Sequence, residues 1–180
     1  IIDKEIWEAV QLEMERRRAF AEKHQIQKID YATDQQPFAG RVICGNCGRA
    51  YGRKVWNSTD ERNRRVVWRC NNKYLAKGEK GCDSKHIDDK ALYQAFVDIF
   101  NALVGNRDQL TPKWQRLIEE DDILKRIYAK RFLAIFSTAQ PIEKFDFALY
   151  FKLVEKITVK DEGILVVTLH EGTEIECEIK

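Results

Sequence analysis

The stretch PFAGRVICGNCGRAYGRK, residues 37–54, sets Cys44 and Cys47 two residues apart with a glycine directly after each. A redox pair of the thioredoxin type would open a helix, and the three glycines of CGNCGRAYG disfavour a helix here. A C-x-x-C turn instead brings two thiolates to one side of a tight bend, where Gly45 and Gly48 can adopt the positive φ that the bend requires. The motif therefore favours one half of a zinc site.

The other half of such a site must come from later cysteines. The chain has five cysteines, and an odd count without a visible secretory segment disfavours a disulfide framework. Cys70 and Cys82 are widely spaced, but the intervening loop NNKYLAKGEKG can return the second of them to the metal. We expect one zinc ion to be bound by Cys44, Cys47, Cys70 and Cys82.

The remaining cysteine and the histidines are weaker candidates. His86 follows Cys82 by four residues and could replace one thiolate, because imidazole is also a good zinc ligand. Cys177 lies in the strand-like TEIECEIK and is expected to be a small strand residue. His24 and His170 have no partner at ligand spacing, so we expect both at the surface.

Composition limits the class of protein. The 180 residues are 44% hydrophobic and 33% charged, which is ordinary for a soluble globular protein, and no apolar run is long enough to cross a bilayer. The first residue is Ile1 rather than Met, which predicts a piece of a longer protein. Net charge is +2 overall, but residues 40–86 hold 12 Lys or Arg against 4 Asp or Glu. This concentration of positive charge favours a polyanionic partner.

The segment between Cys47 and Cys70 has the pattern of a β-hairpin. The β-prone runs AYGRKVW and RRVVWR flank the turn-like NSTDERN. Strand alternation puts Val66, Trp68 and Cys70 on one face, and Arg65, Val67 and Arg69 on the other. We expect Trp56 and Trp68 to supply a minimal core. The ribbon's basic residues predict DNA binding, since the major groove admits a two-stranded ribbon: Arg49, Arg53, Lys54, Arg62, Arg64, Arg65 and Arg69.

Helices are predicted on both sides of this segment, followed by strands. Asp3 can cap a first helix whose apolar residues recur at helical spacing, namely Ile6, Trp7, Val10 and Met14. A second helix ends at Gly105, a third starts at Thr111 and Pro112, and two more follow, with apolar stripes expected to pack in the core. KITVK, ILVVTL and EIECEI predict a short antiparallel meander that covers the helices.

The order of these parts resembles the C-terminal region of large serine recombinases, the serine integrase and resolvase family. The resemblance rests on IIDKEIWEAVQ, FAGRVICGNCGRAYGR, VVWRC with a distant cysteine, HIDDKAL, and the closing FDFALYFKLVEKITVKDEGILVVTL. In that family the wide spacing before the fourth cysteine is usual. The family's zinc ligands correspond to Cys44, Cys47, Cys70 and Cys82, and its DNA-binding ribbon to residues 49–69.

The resemblance implies DNA recombination: integration, excision or transposition of a mobile element such as a prophage or transposon, in the bacterial cytoplasm. In that family the zinc domain binds the outer part of each half-site of the attachment DNA. Double-stranded DNA and other recombinase subunits are therefore the implied partners. No membrane or small-molecule substrate is expected. No catalytic residue is expected either, because the catalytic domain that carries the family's serine nucleophile is absent from this sequence.

We therefore predict an α+β chain: a zinc-stabilised β-ribbon flanked by helices, with a small C-terminal antiparallel meander. The predicted segments are 1–36 (helix and linker), 37–106 (zinc ribbon and following helix), 107–155 (helical) and 156–180 (meander). Residues 113–136 are too few for the long coiled coil of many relatives. Two rival functions are a zinc ribbon that binds RNA or protein, and an enzyme with a Cys–His pair, which zinc on all four cysteines would exclude.

Overall fold

The computed structural model describes residues 2–27, 32–75 and 78–179 and has the predicted α+β composition. Two positions of the NNKYLAKGEKG loop and part of the predicted linker lie outside these ranges. The elements in chain order are α1 Lys4–Lys23, β1 Val42–Cys44, β2 Tyr51–Trp56, β3 Arg65–Cys70, β4 Ile87–Asp88, α2 Asp89–Gly105, α3 Arg107–Ile118, α4 Ile123–Phe136, α5 Phe147–Leu153, β5 Val154–Val159, β6 Ile164–Leu169 and β7 Glu174–Glu178. Among the described helices none has the length and apolar character needed to cross a membrane.

The strands form two sheets. The ribbon sheet has the order β2-β3-β4, with β2 and β3 paired as the predicted antiparallel hairpin. The C-terminal sheet has the order β1-β5-β6-β7. Its strands β5, β6 and β7 form the predicted antiparallel meander, whereas β1 was not predicted as part of it.

Strand β1 joins the two parts of the molecule. It runs parallel to β5, with Val42 opposite Ile157 and Cys44 opposite Val159. The pairing continues past the end of β1, where the Gly45 N–H donates to the Val159 carbonyl at 2.8 Å. The first cysteine of the C-x-x-C motif therefore ends a strand of the C-terminal sheet.

A single hydrophobic cluster connects the ribbon sheet, the helices and the C-terminal sheet. Phe38 is fully buried at its centre, with ring centroids 5.9 Å from Trp68, 5.0 Å from Tyr93 and 5.3 Å from Tyr150. Such edge-to-face aromatic pairs add to the free energy of burial. The apolar stripe predicted on α2 is buried in this cluster as expected: Leu92, Phe96, Ile99, Phe100 and Leu103.

Helix α1 is attached mainly through polar contacts. The Asp3 carboxylate caps it as predicted, accepting from the Glu5 and Ile6 N–H groups. Its apolar residues at helical spacing are about half exposed, from 48% to 56%. Ion pairs fix the helix instead. The Arg126 guanidinium of α4 lies 2.8 Å from the Glu5 carboxylate, and the Arg16 guanidinium pairs with the Glu155 carboxylate of β5.

Helix α3 begins earlier than predicted, at Arg107 rather than near Thr111 and Pro112. The chain turns from α2 directly into α3, because the Asn106 carbonyl accepts from the N–H groups of Gln109 and Leu110 at 3.0 and 3.1 Å. Helices α3 and α4 then form a short hairpin across the acidic turn at residues 119–122.

The contact of Gly45 with β5 predicts a cost for any side chain at this position. A Cβ on Gly45 would lie 2.6 Å from the Val159 carbonyl oxygen, so Gly45→Ala must separate β1 from β5. We expect a loss of unfolding free energy of about 1–3 kcal/mol. Gly105→Ala is the control, because a Cβ there meets nothing within 4 Å. Denaturant unfolding should show Gly105→Ala as neutral or stabilising; equal stability of the two variants would contradict the β1–β5 contact.

Candidate metal centre and basic ribbon

The structure brings together the sulfurs of the four cysteines predicted as metal ligands. All four Sγ atoms lie within 4.8 Å of one another. The distance is 3.6 Å between Cys44 and Cys82, and 3.4 Å between Cys47 and Cys70. Metal–sulfur bonds of about 2.3 Å in a tetrahedron place sulfurs about 3.8 Å apart. The spacing of the cluster thus fits one metal ion held by four thiolates.

The turn at residues 44–49 positions the first pair of sulfurs, those of Cys44 and Cys47. Gly48 has φ of +74° and its N–H donates to the Cys44 carbonyl at 2.9 Å, which closes the bend. The Cys44 N–H in turn donates to the Arg49 carbonyl at 2.8 Å. Positive φ at Gly48 agrees with the sequence prediction. Gly45 has no positive φ, and its lack of a side chain serves the close approach to β5 instead.

The second pair is closed by a hydrogen bond across the loop that separates its members. Cys70 ends β3, and the N–H of Cys82 donates to the Asn72 carbonyl at 2.8 Å. The Asn72 N–H lies 3.4 Å from the Cys70 sulfur, so the backbone also stabilises charge on that atom. The residues between these cysteines therefore form a loop that leads away from the sulfur cluster after Cys70 and back to it at Cys82.

The cluster needs a cation to hold all four thiols deprotonated. Burial raises the pKa of the Cys47 thiol and raises that of Cys70 further. At Cys82 burial also acts to raise the pKa, but hydrogen bonds with Ser84, Cys44 and Cys47 outweigh it and lower the value to about 7. Four thiolates at this spacing repel one another, and a bound divalent cation removes that repulsion.

The other candidates lie apart from the sulfur cluster. His86 contacts the Trp56 ring, with centroids 4.4 Å apart, and Cys177 lies in β7. The expectation of a surface position is wrong for His24, whereas His170 is partly exposed. His24 is 7% exposed and its Nδ1 donates to the Gly48 carbonyl at 2.6 Å, which ties the end of α1 to the first cysteine turn. His170 stacks on Tyr128 at 4.7 Å, and burial lowers its pKa to about 3.

The register of the hairpin divides the predicted DNA-binding residues between two faces. Arg53 pairs with Trp68, and Lys54 with Val67. The face that carries Tyr51, Trp68 and Cys70 packs into the hydrophobic cluster and is termed the core face. The opposite face is termed the open face and carries Lys54, Trp56, Arg65 and Arg69. Val67 also lies on this face, where it is buried outside the hydrophobic cluster.

The seven basic residues therefore differ in position. Arg53 lies on the core face, while Lys54, Arg65 and Arg69 lie on the open face. The other three precede or connect the strands: Arg49 at the cysteine turn, and Arg62 and Arg64, both exposed, in the hairpin turn.

Aromatic rings on the open face hold two of its arginines. The Arg65 Cζ lies 4.7 Å from the Trp56 ring centroid, and the Arg69 Cζ lies 4.4 Å from that of Tyr74. Trp68 is 1% exposed in the core, as expected, but Trp56 is half-buried on the opposite face. Strand alternation could have predicted this difference, because Trp56 lies five positions after Tyr51 on the same strand and therefore faces the other way.

Comparison with known proteins relates this geometry to a family. Residues 37–101 match the family model of the recombinase zinc beta ribbon domain. A crystal structure of a complex between DNA and an LSR, a large serine recombinase, has a similar fold, with a TM-score of 0.54 and 15% sequence identity. The match covers 87% of this chain, and this chain spans 62% of that one. A search of curated proteins finds no match.

Removal of one predicted ligand tests the metal centre. Cys70→Ser should abolish binding of one metal ion per chain and unfold the ribbon sheet, since three thiolates and a hydroxyl bind a soft-ligand metal far more weakly. Cys177→Ser is the matched control, because that cysteine lies in β7, outside the sulfur cluster. Metal content by plasma mass spectrometry and near-UV circular dichroism report both effects. A Cys70→Ser protein that keeps its metal would refute the assignment.

Proposed function

We propose that this chain binds double-stranded DNA through the open face and turn of its zinc-stabilised ribbon. The proposal is supported by the match of residues 37–101 to the recombinase zinc beta ribbon domain and by the similarity of the fold to that of a large serine recombinase in complex with DNA. The domain match and the similar fold confirm the resemblance to large serine recombinases. The proposed target is attachment-site DNA, bound during integration, excision or transposition of a mobile element in the bacterial cytoplasm. Other recombinase subunits would assemble through the parent protein.

The observation that carries the proposal is the distribution of charge over the fold. The hairpin turn and open face present exposed cations that a phosphate backbone can neutralise, and residues 40–86 as a whole carry 12 cationic side chains against 4 anionic ones. The far edge of the C-terminal sheet is acidic, with Glu174, Glu176 and Glu178 exposed along β7. A polyanion is therefore attracted to the ribbon side of the molecule and repelled from the β7 edge.

Zinc is the metal that we propose for the four cysteines. It favours thiolate ligands and tetrahedral geometry, and sites with four cysteines are structural rather than catalytic because no coordination position stays open. Structural zinc sites contribute on the order of 10 kcal/mol of folding free energy. In this chain the ion would support folding of the ribbon, and the DNA cleavage chemistry would belong to the serine of a separate catalytic domain.

Neutralising the hairpin turn tests DNA binding by this face. In the double variant Arg62→Gln, Arg64→Gln, the slope of log K against log salt should fall in magnitude by about 2, since each lost phosphate contact removes about 0.9. Affinity for duplex DNA should fall most at low salt. The measurement is fluorescence anisotropy of a labelled duplex across a salt series.

The control for the salt series is a double variant that removes two positive charges outside the ribbon. Lys4→Gln with Arg18→Gln changes the net charge equally on the exposed side of α1, distant in sequence from the ribbon. Its slope should match that of the unmodified protein. Equal slopes for both double variants would refute binding through the hairpin turn, and preference for single-stranded RNA over duplex DNA would favour the rival RNA-binding function.

A further inference from the structure

We propose that Arg65 and Arg69 read base edges in the major groove, with guanine as the preferred base, while Arg62 and Arg64 of the hairpin turn contact phosphates. This inference rests on the proposed DNA-binding function and divides its cations into two roles. It assigns sequence selection to two residues of β3.

The first support is that both β3 guanidinium groups are held in place by the protein. Arg65 lies over the Trp56 ring, and Trp56 is itself in contact with His86. Arg69 lies over the ring of Tyr74, which is 71% exposed. A guanidinium that is already oriented loses less side-chain entropy when it makes two parallel hydrogen bonds to guanine O6 and N7.

A second support is the electrostatic surroundings of Arg65. Its terminal nitrogen lies 3.9 Å from the Asp88 carboxylate of the adjacent strand β4. The Asp88 carboxylate thus restrains the Arg65 guanidinium from a second side, and at a base edge it can accept a hydrogen bond from a cytosine amino group. These contacts add to the orientation of Arg65 that the Trp56 ring provides.

Arg69 differs from Arg65 in its surroundings but is also assigned to base contact. It makes no ion pair with any carboxylate in the described part of the chain, and its Nε is buried without a hydrogen-bond partner there. The protein therefore orients this guanidinium by stacking and leaves its charge uncompensated. An acceptor pair supplied by a ligand would compensate that charge at the two terminal nitrogens, because Nε itself is buried.

The spacing of the two arginines yields a geometric expectation. They are four residues apart on one strand, so they point to the same face at a separation of about 13 Å. The rise along the DNA axis is about 3.4 Å per base pair, and a strand that follows the groove runs oblique to that axis, so the two arginines would lie at most about four base-pair steps apart. The two preferred guanines should have a corresponding separation.

The turn arginines lack this preorganisation. Arg62 is 94% exposed in its side chain and lies 3.8 Å from Asp60, and neither it nor Arg64 stacks on an aromatic ring among the described residues. Solvent-exposed cations without an aromatic partner suit phosphate contacts, which require charge but little angular precision.

The test uses Arg→Lys substitutions, which keep the charge but remove the planar fork. Arg65→Lys and Arg69→Lys are compared with the control Arg64→Lys and the unmodified protein, each loaded with zinc and checked for metal content and near-UV spectrum. Each protein selects from a library of duplexes with a randomised 20-base-pair centre, and the bound pool is sequenced. The library is the probe, so the natural site need not be known.

The unmodified protein should enrich a motif with two guanines at most about four base pairs apart. Arg65→Lys should lose the preference at one of them and Arg69→Lys at the other, each by about tenfold to a hundredfold. Arg64→Lys should keep the motif. A motif unchanged in both β3 variants would overturn the inference and leave the proposed function intact, as would duplex binding without any enrichment. Absence of duplex binding by the unmodified protein would overturn both.

Discussion

The four-sulfur cluster is the constraint on which the rest of this structure depends. Cys44 ends a strand of the C-terminal sheet, whereas Cys70 ends a strand of the ribbon sheet, so a metal ion bound by all four sulfurs would fix the two sheets to each other. The end of α1 is fastened at the same place, through the hydrogen bond from His24 to the Gly48 carbonyl. The cluster therefore positions three parts of the molecule that are distant in sequence.

This arrangement leaves Lys54 and Arg65 exposed on the open face of the ribbon. The core face contributes Trp68 to a hydrophobic cluster built around Phe38, and burial there stabilises the hairpin. A hairpin alone is marginally stable in water. Because the core face supplies stability, and a metal ion on the four cysteines would add to it, the open face can carry several like charges. Their mutual repulsion costs free energy, which a bound anion would relieve.

The parts of the fold with local signatures could be predicted from the sequence. Glycines beside cysteines indicate a metal turn, and strand alternation places Arg65 and Arg69 on one face. The pairing of β1 with β5 could not be predicted, because it joins three residues to a strand more than 100 positions later and no local pattern encodes such a partner. His24 was missed for a similar reason: its partner is a main-chain carbonyl, which has no side-chain signature. Exposure of the α1 apolar residues likewise depends on tertiary contacts, which helical periodicity does not report.

The central claim is that one zinc ion with four sulfur ligands holds the ribbon to the C-terminal sheet. X-ray absorption at the zinc edge on the purified chain measures this most directly, since it reports the type, number and distance of the atoms bound to the metal. The account predicts one zinc per chain surrounded by four sulfurs at about 2.3 Å. A first shell that contains nitrogen or oxygen, or a folded chain without zinc, would contradict it.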